Sequence, residues 1–353
     1  MSLLTKALER ILKWLEEYRP YDVSFLQPGL SKNEIEIITE GLPFKLPHEV
    51  YELYQWKNGT SQGDEYWEFG LFFDSWSFKP LNLVVNEYLS QHYQYRHHYI
   101  YDNQYFFPVN NRYTLPIFFG NVTCDAGYTI IDKYKENSYV YFINYKGGGC
   151  EILARYISLT NMMLTIADCY EAGAYYVYET TYRMYANACQ NYQTDPDPKF
   201  VKETIDKIYW KYNFGVKNLA VAELESQFHD GSLTDESLAF LEDDLIKFKP
   251  PSAVALLIKI LQSLEEYPIS LEEVSIKERI AKILGYIGDA QAIDPLITVL
   301  QDDFWQTRYS AALSLALLKD KKAIQPLSQL IFDENEDVRY AANMAIKQLS
   351  DGA

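Results

Sequence analysis

A metal centre, a reactive thiol pair and a phosphate cradle are the three chemistries that short runs of this sequence suggest, and each needs more than it has. His92, His97 and His98 fall close together. A His-x4-His spacing without a carboxylate at a fixed offset is a poor ligand set, so these rings read as solvated groups at a helix end and loop. Cys124, Cys150, Cys169 and Cys189 are far apart, with no Cys-x-x-Cys pair, and read as reduced, mostly buried thiols. Gly147, Gly148 and Gly149 could present backbone N–H groups to a phosphate. They lack the Lys-Ser/Thr of a P-loop and lie between two strand-like segments, which predicts a hairpin turn instead. No nucleophile–base pair or divergent carboxylate pair is visible. The expectation is a non-enzyme that needs no cofactor.

Binding is then the chemistry to look for. The 353 residues are 48% hydrophobic and 23% charged, a globular composition with room for two domains. Against 32 Lys and Arg stand 49 Asp and Glu, for a formal charge of −17. That charge repels nucleic-acid phosphates and anionic membranes and attracts a basic protein. Acids mixed with aromatic anchors at Asp64, Glu65, Tyr66, Trp67, Asp74 and Trp76 make a first candidate contact surface, and Trp305, in a turn after Asp302, Asp303 and Phe304, a second. Charged residues interrupt the first apolar stretch from Lys6 to Glu17, and no run is long enough to span a bilayer, so a cytoplasmic protein is expected.

The first half supplies helices and then strands. Leu4, Leu8, Ile11, Leu15 and Tyr18 recur at helical spacing until Pro20. Ser31 and Glu34 form a capping box, and Leu30 can staple onto Ile35. Within 42–59, Pro47 can open a helix whose Val50, Leu53, Tyr54 and Trp56 share one side, and Gly59 can terminate it in the left-handed conformation. A helix is expected over 83–93, then strands over 113–119, 128–132, 139–145 and 150–156, separated by turn-forming residues. Ser158 opens a further helix, and Tyr178, Tyr182, Tyr185 and Cys189 continue as an aromatic stripe on an additional one.

The capped helix pair ending in Leu53, Tyr54, Trp56, Asn58 and Gly59 resembles the SUKH superfamily of bacterial immunity proteins and yeast cell-wall synthesis regulators. That resemblance implies helices before a mixed or antiparallel sheet, with a Ser-led last helix, in a binding module without an active site. Asp125 and Gly127 match the family's Gly-Asp-type turn in degenerate form. With Trp56, Asn58 and Gly59 they are expected to hold the fold rather than bind.

Asp195 to Pro198 alternates Asp and Pro, which bars helix and marks a boundary. Helical periodicity alone follows. Lys277, Arg308 and Arg339 recur every 31 residues, as do Asp289 and Asp320, and the Pro-Leu pairs at 295–296 and 326–327. A fixed period of this kind marks a solenoid in which each unit buries a face on its neighbour. The Asp column can cap helices and the basic column can pair along the stack. These units resemble the short HEAT-like repeats of phycobilisome lyases and bacterial adaptors.

The expected architecture is therefore an α+β domain over 1–194, with an added C-terminal helix, and an all-α HEAT-like solenoid over 195–353. Its clear repeats cover 276–349, after divergent helices over 198–266. The expected function is immunity-type neutralisation of a basic toxin, such as a nuclease, by direct binding. An adaptor acting through the repeats is the alternative, and bilin attachment, implied by the lyase resemblance alone, a third.

Overall fold

Ser2 caps the first helix, α1 (Leu3–Tyr18), its hydroxyl accepting the Thr5 N–H at 2.9 Å. In this computed structural model the described residues are 1–61, 72–73, 76–97, 112–120, 126–132, 138–146, 149–175, 197–264 and 270–351. They divide into two compact units, Met1–Val216 and Lys217–Ala353.

In the first unit, α1 buries Leu4, Leu8, Ile11, Trp14 and Leu15, and Trp14 stacks between Tyr18 and Tyr170. A single turn, α2 (Pro20–Val23), leads to β1 (Leu26–Pro28). Helix α3 (Lys32–Thr39) starts on the expected capping box of Ser31 and Glu34. Pro47 sits one residue earlier than the spacing predicts, at the N-cap of α4 (His48–Trp56).

Gly59 does not end that helix. The chain leaves α4 at Trp56 directly into β2 (Lys57–Thr60), which pairs antiparallel with β1. Gly59 instead takes φ +74° so that the backbone can pass against Lys79 and Pro80, where a Cβ would lie 2.4 Å from two backbone atoms. Asn58 is turned outward from its own backbone: its side-chain oxygen accepts the Leu81 N–H at 3.0 Å and so caps the helix α5 (Leu81–His97). Trp56 donates its indole N–H to Glu9 at 2.8 Å. All three motif residues therefore join elements together.

The sheet is an antiparallel meander of β3 (Trp76–Phe78), β4 (Arg112–Gly120), β5 (Ala126–Asp132), β6 (Ser138–Lys146) and β7 (Gly149–Tyr156), paired in chain order. The four longer strands lie where the sequence places them. Gly127, expected in a turn, is inside β5 opposite Phe142. Phe72, Phe73, Phe78, Phe118 and Phe142 form the aromatic centre of the core.

Helix α6 (Leu159–Glu171) has two N-terminal caps. Ser158 accepts the Asn161 N–H, and the Glu49 carboxylate on α4 takes the Leu159 and Thr160 N–H groups, both at 3.1 Å. The next described helix, α7 (Pro198–Asn213), packs on α6 and belongs to the first unit, although it follows the Asp-Pro run. Fully buried Asn213 explains why: its amide donates to Thr165 at 3.0 Å and its oxygen accepts the Ile157 N–H at 3.4 Å. The first compact unit thus runs on to Val216. The tyrosine stripe over 178–189 lies outside the described residues, as does His98; nothing is described of the His92 and His97 side chains.

Asp168 binds three helices into one. Its carboxylate receives Arg10 of α1 at 2.6 Å, and Lys211 and Tyr212 of α7 at 2.8 and 2.7 Å. Burial alone would raise the carboxyl pKa; hydrogen bonds from Lys211, Arg10 and Tyr212 outweigh it and hold the group below its ordinary value. The adjacent Cys169 is buried, its thiol pushed up to about 12 by desolvation and then by the Asp168 charge.

The second unit is helical throughout its described residues: α8 (Leu219–Asp230), α9 (Asp235–Phe248), α10 (Pro251–Ser263), α11 (Leu271–Ile287), α12 (Ile293–Val299), α13 (Trp305–Leu318), α14 (Ile324–Gln329) and α15 (Glu336–Asp351). Helices α9, α11, α13 and α15 lie side by side. Gly285 lets α11 pass close to α13, since a Cβ there would meet Ser314 at 2.6 Å.

Three substitutions test these contacts in urea. Gly59→Ala is expected to destabilise the first unit by about 2 kcal/mol or more, through left-handed strain and the backbone clash, and Asn58→Ala by about 1 kcal/mol through the lost cap. Asp168→Asn is expected to cost about 1–3 kcal/mol at neutral pH. Because the folded pKa is depressed, the Asp168 contribution is complete above the unfolded Asp value of about 3.9 and is lost as pH falls through the lower folded value. Denaturation midpoints measured against pH should show the gap between wild type and Asp168→Asn closing on acidification.

Candidate interaction surface on the helical repeats

The turn between α12 and α13 is fixed from both sides by the basic column. Lys277, 3% exposed, places its Nζ 2.9 Å from Asp302 Oδ2, and Asp302 Oδ1 accepts the Phe304 N–H at 2.9 Å. From the other side Arg308 donates through Nη1 to the Asp302 and Asp303 carbonyls, at 2.8 and 3.0 Å. The same guanidinium reaches forward. Its Nε and Nη2 take the Asp333 carboxylate in a bidentate grip at 2.8 and 2.9 Å. Arg339 repeats the backward half, donating Nη1 to the Asp333 and Glu334 carbonyls at 2.6 and 3.0 Å.

Asp333 is held below its ordinary pKa: desolvation pushes it up, but the hydrogen bond from Arg308 and the Asn335 N–H outweigh that. Asp289 and Asp320 do the capping their spacing suggests, accepting the Gln291 and Lys322 N–H groups at 2.8 Å. Lys277, Asp289, Arg308 and Asp320 thus spend their polar groups on contacts within the stack. The carboxylate partners, Asp302 and Asp333, were the residues that pattern reasoning missed, although they too stand 31 residues apart and the offset alone could have found them.

Trp305 begins α13 immediately after this clamped turn and is 38% exposed. The ladder thus holds a large indole in a fixed place on the surface. Beyond it, Tyr286 and Leu317 share one repeat position, Leu313 and Met344 another, and all four are exposed, between 37 and 48%. They lie on α11, α13 and α15.

Of the first candidate surface, only Trp76 lies among the described residues. Trp76, expected as a contact residue, is 8% exposed in β3 with its ring 4.5 Å from Phe142, because three consecutive residues of that short strand are buried. Asp64, Glu65, Tyr66, Trp67, Asp74 and Asp125 lie outside the described residues. Among the described residues no three His, Cys, Asp or Glu side chains are placed to hold a metal ion, and no helix is long and apolar enough to cross a membrane.

A family model for HEAT repeats matches residues 269–347, the stretch that holds the clamped turns and Trp305. No curated protein matches the chain.

Breaking the grip should be costly. The side chains of Arg308 and Asp333 are 9 and 6% exposed, so Arg308→Ala leaves a carboxylate buried without its partner and is expected to destabilise the second unit by about 3–5 kcal/mol. Arg308→Lys should recover only part of this, since an ammonium cannot make the two-pronged contact. Thermal or urea unfolding of both variants measures the difference.

Proposed function

We propose that this chain is a non-enzymatic protein-binding protein whose helical repeats present the contact surface. The observation that carries this reading is the HEAT-repeat match over 269–347, which contains an exposed indole at Trp305 held by buried ion pairs. HEAT-type stacks bind other proteins along their extended surfaces. A rigid, partly exposed tryptophan is the kind of anchor that dominates such interfaces.

The finer reading is an immunity-type protein that neutralises a basic toxin, such as a nuclease, by covering its nucleic-acid site. The formal charge of −17 supports it, since an acidic surface steers a basic partner and can stand in for phosphate. A capped helix pair ending at Trp56, Asn58 and Gly59, followed by an antiparallel meander and a Ser-led α6, fits the SUKH resemblance on which the immunity reading rests. An adaptor acting through its repeats is the second reading, favoured by the confinement of the family match to the second unit.

Calorimetry and a nuclease assay with the full chain and a basic toxin encoded beside it test the first reading. Micromolar or tighter binding with loss of nuclease activity is expected; neither effect at micromolar concentration overturns it for that toxin. Trp305→Ala should weaken partner binding by about thirtyfold, the loss of a strong anchor. If Trp305→Ala removes captured partners while toxin inhibition is intact, the adaptor reading is the correct one.

A further inference from the structure

Arg308, Ala312 and Ala316 form an i, i+4, i+8 stripe on α13, exposed by only 7, 0 and 5%. It faces α15, for Arg308 grips Asp333 just before that helix and Ala316 O accepts the Gln348 side chain at 3.3 Å. One repeat later the same positions on α15 are Arg339, Asn343 and Lys347. There the stripe is open: Arg339 is half-buried and the other two are exposed. Replacing two alanines by Asn and Lys removes the room a closely packed helix needs, so this face is not built to receive another repeat at the α13–α15 spacing.

Arg339 is more than a solvated cap. Two carbonyls fix its Nη1, while the Nε–Nη2 edge meets no acceptor among the described residues. In Arg308 that same edge holds a carboxylate with both prongs. A guanidinium already oriented by its backbone bonds loses little further freedom when a carboxylate arrives. Lys347 lies eight residues on, about 12 Å along the helix. Phe332 and Tyr340, 84 and 64% exposed, are close to Arg339 in the chain.

We propose that the Arg339–Asn343–Lys347 stripe binds an acidic segment of a protein partner, in extended conformation, with one carboxylate on the free edge of Arg339 and a second on Lys347. An extended chain rises about 3.3 Å per residue and returns to the same face every second residue, so acids four positions apart span the gap. Glu336 and Asp337 precede Arg339 in the first turn of α15 and repel an acidic chain there. The segment therefore runs from Arg339 toward Lys347. This surface prefers the opposite charge from the basic partner proposed above and does not depend on that reading.

The test uses the full chain and fluorescence anisotropy at low ionic strength. The probe is a labelled peptide with two Glu four positions apart in a Gly/Ser background, against the same peptide with Gln. Saturable binding of the Glu peptide is expected, with the Gln peptide at least about tenfold weaker. Lys347→Glu removes an exposed side chain with no ion-pair partner among the described residues, so it tests the contact without threatening the fold. It should weaken the Glu peptide by about tenfold and favour a peptide with Lys at the second position. Arg339→Gln should abolish binding, with its unfolding curve recorded alongside. No saturable binding, equal binding of Glu and Gln peptides, an unchanged affinity in Lys347→Glu, or equally strong competition by inorganic phosphate overturns the proposal. None of these results bears on toxin binding, which is measured separately.

Discussion

Arg308 has to satisfy five N–H groups in a nearly dry place, and the geometry of the repeats follows from how it does so. A guanidinium has a rigid fork and cannot lose its charge, so burial obliges the protein to bring acceptors to it. One prong holds the carbonyls of the preceding turn and the other two hold the carboxylate of the following one. Two turns 31 residues apart are thereby placed relative to a single side chain. Alanines lining the same stripe let α15 approach, and the exposed indole of Trp305 inherits its position from the turn that Arg308 fixes. A stack with loosely held turns could still bury its leucines, but it would not present one tryptophan in one place.

The parts of this structure legible in the sequence are those where a local rule and the final packing agree. A serine followed three residues later by glutamate announced α3, and turn residues between β-branched and aromatic runs announced β4 to β7. The constant offset announced the ladder. What was not legible depends on partners distant in sequence. Trp76 looks like a contact residue because its neighbours are polar, yet Phe142 covers it. Gly59 looks like a helix end, yet the need for glycine comes from Lys79 and Pro80. Asp195 to Pro198 looks like a border, yet α7 is kept by Asn213, whose amide finds Thr165 and Ile157.

The two units also differ in how polar groups earn their burial. In the first, side chains cap helices from other elements: Glu49 closes the start of α6 and Asn58 the start of α5. In the second, capping is mostly local, through Thr234, Ser270, Asp289 and Asp320, and the long-distance role passes to ion pairs between neighbouring turns. A cap borrowed from another element makes that helix depend on the whole domain. Local caps with neighbour-to-neighbour pairs make each repeat depend only on the ones beside it.

The pairing of α1 with α6 carries this difference into synthesis on the ribosome. The apolar face of α1 is covered by a helix whose last residue, Glu171, is made long after Tyr18, with the whole meander in between. Until then α1 has only α2 and α4 to pack on, and Arg10 has neither Asp168 nor Glu171 to meet. The nascent first unit must therefore wait, its first helix exposed to chaperones or to other chains, and then close in one late step. The repeats that follow have a shorter interval, because each long helix finds its neighbour about one repeat later.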